Sequence, residues 1–124
     1  MVDKVSFLGF VADPFEVYYA ADGALICSEH EALSRVGLEG MSTALPLIGK
    51  NSGGNPEIIE DGVSGVLYDD FEGLVAAMQC MAQDPGWARQ LGHAGWLLAR
   101  EKFTIEDNAA QIYEIIQSLI QRSP

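Results

Sequence analysis

Pro46-Leu47-Ile48-Gly49-Lys50-Asn51-Ser52-Gly53-Gly54-Asn55-Pro56-Glu57 reads as a strand, a glycine turn and a helix start in direct succession. Leu47 to Gly49 is a short apolar run entered through Pro46. Two adjacent glycines then reach torsions that other residues resist. Pro56 stands at a favourable first helical position, so a brief helix is expected from there. Working outward, Ala24–Cys27 is a second apolar run upstream, and Val5–Leu8, ended by Gly9, is another. Downstream, Val66–Tyr68 follows the turn signals Asp61-Gly62 and Gly65. All four runs are continuously apolar rather than alternating, as in strands of a parallel sheet covered on both faces. Pro14–Ala21 and Arg35–Ser42 are the intervening helices, and Gly37 and Gly40 would let the second lie close on the sheet. Strands and helices in alternation predict an α/β fold with a parallel, Rossmann-like sheet and right-handed crossovers.

Beyond Tyr68 the pattern turns wholly helical. Phe71, Leu74, Val75 and Met78 recur at helical spacing, with Asp69 and Glu72 placed as a capping box. Asp84-Pro85 opens the next helix, with Trp87, Leu91, Ala94 and Leu98 on one face. Thr104 caps a third, striped by Ala109, Ile112, Tyr113, Ile116 and Leu119. Without a repeat, a low-complexity tract or a linker, residues 1–124 read as one domain.

Composition narrows the function. The 124 residues are 48% hydrophobic and 20% charged, ordinary for a soluble globule. Seven Lys and Arg against eighteen Asp and Glu give a net charge of −11. That balance argues against nucleic acid or an anionic membrane as partner, because each needs clustered positive charge. Cys27 and Cys80 lie far apart with no CxxC and no histidine at metal-ligand spacing, so they read as buried, reduced thiols and no metal site is expected. No apolar run has the length of a membrane span. The chain reads as cytoplasmic, with peripheral contact at the inner membrane face the most a longer enzyme would make.

Ligands of parallel α/β sheets sit beyond the carboxyl ends of the strands, beside helix N-termini. Ser28-Glu29-His30-Glu31-Ala32-Leu33-Ser34-Arg35-Val36-Gly37-Leu38-Glu39 occupies such a place. Glu31 lies ahead of the helix and Glu39 just over one turn inside it. Amides of Leu33 to Arg35 would point out of the helix start, where a diphosphate binds without any side chain. Glu39 could accept from ribose hydroxyls while Glu31 reaches a sugar. The plainer reading has Glu31 favoured by the helix dipole alone and Arg35–Glu39 as a surface pair. Gly53-Gly54 likewise admits two readings, a ligand close to the main chain or a tight turn. His30 and His93 read as surface residues, Trp87 and Trp96 as packing, and Lys50 as a solvated lysine.

Taken in order, these segments strongly resemble family 4 of the glycosyltransferases. The likeness rests on Phe7-Leu8-Gly9, Tyr18-Tyr19-Ala20-Ala21-Asp22, Ser28 with Glu31 and Glu39, and Pro46-Leu47-Ile48-Gly49. It continues through Gly53-Gly54-Asn55-Pro56-Glu57-Ile58-Ile59, Gly62-Val63-Ser64-Gly65-Val66-Leu67-Tyr68 and Lys102-Phe103-Thr104. The resemblance implies a GT-B fold of two facing Rossmann-like domains, with this chain inside the C-terminal, donor-binding one. It implies transfer of a hexose from a UDP-, GDP- or ADP-sugar with retention, no metal and no other cofactor. Carried to matching positions, Glu31 would contact the donor sugar and stabilise positive charge, and Glu39 would bind the ribose. The backbone of Leu33, Ser34, Arg35 and Val36 would hold sugar and phosphate, Phe10, Val11 and Asp13 would read the base, and Gly53 and Gly54 would line the donor. Electrostatic stabilisation by placed dipoles is the catalysis such a site offers.

Two departures from the family pattern stand out. Leu33-Ser34 occupies the place where many relatives have Phe-Gly, which narrows the approach to the sugar. Relatives also have two further strand–helix units, with phosphate-binding Arg and Lys, and an acceptor-binding N-terminal domain ahead of the Phe7-Leu8-Gly9 strand. By that comparison the chain is a partial donor domain, whose first strand lacks its neighbour and whose sheet edge is open to self-association. A glycosyltransferase in polysaccharide or glycolipid synthesis, with a sugar or lipid acceptor, is the leading expectation. A non-catalytic module binding a nucleotide-sugar or a partner chain is the alternative. A sugar-nucleotide epimerase fits the paired glutamates and glycine loop less well, and a dinucleotide oxidoreductase lacks its GxGxxG.

Overall fold

Three of the four apolar runs become strands, and they pair in parallel in the order β1 (Ala24–Ile26), β2 (Leu47–Lys50), β3 (Val66–Tyr68). The computed structural model describes residues 4–122. Ala24, Leu25 and Ile26 stand opposite Leu47, Ile48 and Gly49, which in turn face β3 from Val66 onward. Helices α1 (Pro14–Ala20), α2 (Arg35–Ser42) and α3 (Asn55–Ile58) alternate with the strands, and α4 (Phe71–Gln83), α5 (Pro85–Lys102) and α6 (Ile105–Arg122) follow. The α/β, Rossmann-like reading therefore holds, with three parallel strands.

Side chains of β2 alternate between two apolar layers, as the pleat requires. Leu47 joins Ile26, Met41, Ile58 and Ile59 in a core roofed by α2 and α5, with Leu98, Ala99 and Phe103 at its rim. Ile48 points the other way, to Tyr68 and Ala77 beneath α4. The close seating of α2 has its cause in Gly37, where an added Cβ would come within 2.6 Å of Ile58 Cδ1 and 2.9 Å of Ile26 Cδ1. A Cβ there would have to push both isoleucine methyl groups aside.

Several expectations are corrected. Val5–Leu8 forms no strand; Phe7 is 96% exposed, and no ladder partner flanks it among the described residues. An apolar run holds strand geometry only where neighbours accept its backbone bonds, so the sheet begins at β1. Cys27 lies just past the end of β1, and it and Cys80 are exposed free thiols rather than buried ones. Asp70, not Asp69, caps α4 by accepting from the Gly73 amide at 2.8 Å, while Asp69 accepts from the Asn51 side chain. Asp84 and Thr104 cap α5 and α6 as expected, accepting from Trp87 and Asp107. The α6 stripe of Ile112, Tyr113, Ile116 and Leu119 is exposed.

α2 ends in a Schellman turn: the Ala44 amide bonds the Met41 carbonyl and the Leu45 amide the Gly40 carbonyl, each at 3.0 Å. Ala44 holds φ 58°, a left-handed conformation that costs an alanine about 1–2 kcal/mol. Ala44→Gly relieves that penalty but loosens the unfolded chain. The expected net gain is roughly 0.5–1 kcal/mol, read as a thermal midpoint about 2–4 °C higher by circular dichroism.

Candidate functional site

The carboxyl ends of β1 and β2 lead into two loops that are locked to each other. After β1 the chain runs through Ser28 to Glu31 and enters α2 at Ser34; after β2 it runs through Ser52, Gly53 and Gly54 into α3. The Gly54 amide donates to the Glu31 carbonyl at 2.7 Å. A Cβ on Gly54 would lie 1.8 Å from the Ala32 carbonyl oxygen, and one on Gly53 would lie 2.5 Å from that of Glu31. What approaches the glycine pair is thus the backbone of Glu31 and Ala32. Two polar atoms of the second loop, Ser52 Oγ and Asn55 Oδ1, are buried without a protein partner. Most buried polar atoms find one, so these stand out.

Glu31 is half-buried, and the Ser28 hydroxyl donates to its Oε1 at 2.7 Å. Its second carboxylate oxygen has no hydrogen-bond donor among the described residues. Ser34 is buried and caps α2, accepting from the Gly37 amide at 3.1 Å. That leaves the amides of Arg35 and Val36, in the first turn, with no protein acceptor among the described residues. Free amides at a helix start, aligned with its dipole, favour an anion. Leu33 is exposed beside them.

Glu39 sits one turn further along α2. Its Oε2 accepts from the Tyr18 hydroxyl at 2.9 Å and its Oε1 pairs with Arg35 at 3.4 Å. Arg35 is 90% exposed, so this pair contributes little to stability. Burial, with the Glu39 hydrogen bond and charge added, raises the Tyr18 phenol above its ordinary range against a smaller opposing effect of Arg35.

Phe10, Val11 and Asp13 lead into α1. Phe10 is exposed, Val11 is half-buried, and Asp13 caps α1 by accepting from the Phe15 amide at 3.0 Å. Residues 6–11 and α1 bound an open groove of about 590 Å³ lined by Phe7, Gly9, Val11, Pro14, Val17 and Tyr18. Tyr18 is the side chain that joins this groove to α2. Sequence reasoning quoted Tyr18 without assigning it work; its place in Tyr18-Tyr19-Ala20-Ala21-Asp22, one helix before the strand, was the available signal. Ser28, three residues ahead of Glu31, was another.

Lys50 is not a free solvated cation, since its ammonium donates to the Asp69 carbonyl and lies 5.6 Å from the Tyr68 ring centroid. Burial, then a hydrogen bond with Cys27 and the nearby Cys27 and Glu29 charges, pushes the Tyr68 phenol up to about 12. His30 and His93 are exposed, and Trp96 stacks on His93 with Arg100 over its ring. Among the described residues no group of His, Cys, Asp and Glu could hold a metal ion, and no helix is long and apolar enough to cross a membrane.

This arrangement, a parallel sheet with two interlocked loops at its carboxyl edge, defines a Rossmann-like α/β domain. Residues 1–84 match the sequence profile of "Glycosyl transferases group 1", and the chain belongs to that family. It is similar to spore coat protein SA of Bacillus subtilis, 42% identical over 56% of this chain and 19% of the relative. It is also similar to alpha-maltose-1-phosphate synthase of Mycobacterium tuberculosis, 31% identical over 84% of this chain and 29% of the relative. Among solved structures, Anabaena HepE in complex with UDP superposes with a TM-score of 0.84 at 26% identity, over 94% of this chain and 33% of that one. The chain thus spans less than a third of the length of these curated relatives.

Proposed function

We propose that this chain is the donor-binding part of a retaining glycosyltransferase that binds a nucleoside diphosphate sugar and, with a complete enzyme, transfers the hexose. The observation that supports this most is the Gly54–Glu31 bond, which holds the loop carrying Glu31 just ahead of α2, whose first amides, those of Arg35 and Val36, have no protein acceptor among the described residues. In this reading the backbone of Leu33, Ser34, Arg35 and Val36 holds the diphosphate and sugar. Glu31 offers its open carboxylate oxygen to the sugar and to the positive charge that grows at the anomeric carbon as the leaving diphosphate departs. Glu39 binds the ribose hydroxyls, and Phe10, Val11 and Asp13 read the base through main-chain groups. Gly53 and Gly54 contribute by holding Glu31 in place. Charge on the leaving group is met by the helix start, with no metal or other cofactor assigned. The orphaned Ser52 Oγ and Asn55 Oδ1 lie in the second of these loops, and the similar HepE structure is a complex with UDP, which supports a nucleotide as the ligand. A sugar or lipid acceptor, polysaccharide or glycolipid synthesis, and a cytoplasmic setting complete the proposal.

Calorimetric titration with UDP, GDP and ADP tests it. One nucleotide is expected to bind, and Glu39→Ala is expected to weaken it about tenfold, near 1.4 kcal/mol, the worth of a good charged hydrogen bond. A folded chain that binds none of the three would overturn the proposal for this chain.

A second reading is favoured by the exposed Val5, Phe7, Leu8 and Phe10 and by the open edge of β1. In it the chain is a non-catalytic module that pairs with a partner or with itself through that edge. Transfer or donor hydrolysis, measured with the complementing protein present, separates the two.

A further inference from the structure

We infer that Tyr18 is a positioning residue for Glu39, holding its carboxylate so that nucleotides with a ribose are selected over those with a 2′-deoxyribose. This rests on the donor-site reading, in which Glu39 receives the ribose hydroxyls. An ionised carboxylate offers about four lone-pair positions on two oxygens and donates nothing. The Tyr18 hydroxyl occupies one of them at Oε2, at 2.9 Å and from a half-buried ring. The contact at Oε1 comes from Arg35, at 3.4 Å, whose side chain is 90% exposed and free to swing away. Of the two partners only Tyr18 has a fixed base.

That base reaches back to the groove. Tyr18 packs edge-on against Phe15, with centroids 5.9 Å apart, and the Phe15 amide is held by the Asp13 carboxylate. One short helix therefore ties the 10–13 loop at its start to Glu39 near its end. A glutamate has three side-chain torsions, and freezing them before the ligand arrives spares binding that ordering cost. The positions on Glu39 left open then face two neighbouring hydroxyls at a set distance from the loop. A 2′-deoxy sugar leaves one of them unpaired, and the better the carboxylate is held, the more that loss is felt.

Tyr18→Phe removes the hydroxyl and keeps the ring that lines the groove, so the fold is retained, as circular dichroism and melting will record. The experiment titrates the full chain with whichever of UDP, GDP or ADP binds, and with its 2′-deoxy counterpart. The unaltered chain is expected to prefer the ribonucleotide about tenfold, the scale of one hydrogen bond to a charged group. In Tyr18→Phe, ribonucleotide affinity is expected to fall about fivefold and 2′-deoxynucleotide affinity less than about twofold, because only the ribonucleotide uses the held carboxylate. Tyr18→Phe combined with Glu39→Ala is expected to bind no worse than Glu39→Ala alone, since coupled residues do not add. Equal weakening of both nucleotides by Tyr18→Phe, or an unchanged preference, overturns the inference and leaves the donor site standing. No binding to the unaltered chain, no ribose preference in it, or an inert Glu39→Ala overturns the donor-site reading, and this inference with it.

Discussion

Gly54→Ala is expected to destabilise the fold by more than about 3 kcal/mol and to abolish nucleotide binding, a loss in the range reserved for a broken buried contact. The torsion at Gly54 is ordinary, φ −84°, so the requirement for glycine is one of space alone. A methyl group there would lie 1.8 Å from the Ala32 carbonyl oxygen and 2.7 Å from its carbon, both backbone atoms with no rotamer to swing away. The loops must part by more than an ångström, which breaks the bond from the Gly54 amide to the Glu31 carbonyl and leaves a buried donor unpaired. Glu31 and the start of α2 move with that loop, so fold and site fail together. The control is Gly62→Ala, where φ is +73° and nothing lies within 4 Å of the added carbon. It meets only the left-handed penalty of about 1–2 kcal/mol and leaves the site intact. Melting curves and calorimetry on the two variants check this: a stable, nucleotide-binding Gly54→Ala chain would show that the loops are not locked as described.

How much of this was readable beforehand follows from how local each cause is. Caps at Asp84 and Thr104, the short strands through Ala24, Leu47 and Val66, and the close-packing glycines of α2 depend on neighbours in sequence and were foreseen. The cap of α4 was misplaced by one residue, because Asp69 and Asp70 are equally good acceptors. Only the turn after β3, with Asn51 drawing Asp69 away, decides between them. Val5–Leu8 has the composition of a strand, but a strand exists through partners that its own residues cannot reveal. The exposure of Cys27 has the same cause, since burial is decided by what covers a position. At the candidate site, helix start and glutamate spacing were visible, whereas three couplings were not: Tyr18 with Glu39, Ser28 with Glu31, and the glycine pair with Ala32. The first spans 21 residues and the last joins two loops, distances at which no periodicity speaks.

Leu47→Ala is the second large effect, expected to cost about 3 kcal/mol within the 2–5 kcal/mol range of buried leucine truncations. Leu47 is fully buried at the middle strand of the sheet, and it holds the core between Ile26, Met41, Ile58 and Ile59. Gly40 of α2 rests on it, where an added Cβ would lie 3.0 Å from Leu47 Cδ2, and a Cβ on Gly65 would lie 3.4 Å from Leu47 Cβ. The α2 backbone at Gly40 lies close against the side chain and resists collapse into the void, so much of the cavity term is retained. A domain of 124 residues has a total stability of about 6–19 kcal/mol at ordinary values per residue. Here many large apolar side chains, from Phe7 to Ile120, remain in water, which places the reserve near the lower bound. The thermal midpoint should therefore drop by about 10 °C or more, while Leu47→Met, which keeps the volume, should cost less than about 1.5 kcal/mol. Because β2 leads directly into the Gly53–Gly54 loop, the same variant also reads out the donor site through mass action. A nucleotide at 100 times its dissociation constant restores about 2.7 kcal/mol, nearly the whole deficit, only if it binds the folded chain. Recovery of the midpoint by one of UDP, GDP or ADP, cut to about half (roughly 1.4 kcal/mol) when Glu39→Ala is added to Leu47→Ala, would join the stability of the sheet to occupancy of the site. A midpoint that none of the three moves would dissociate them.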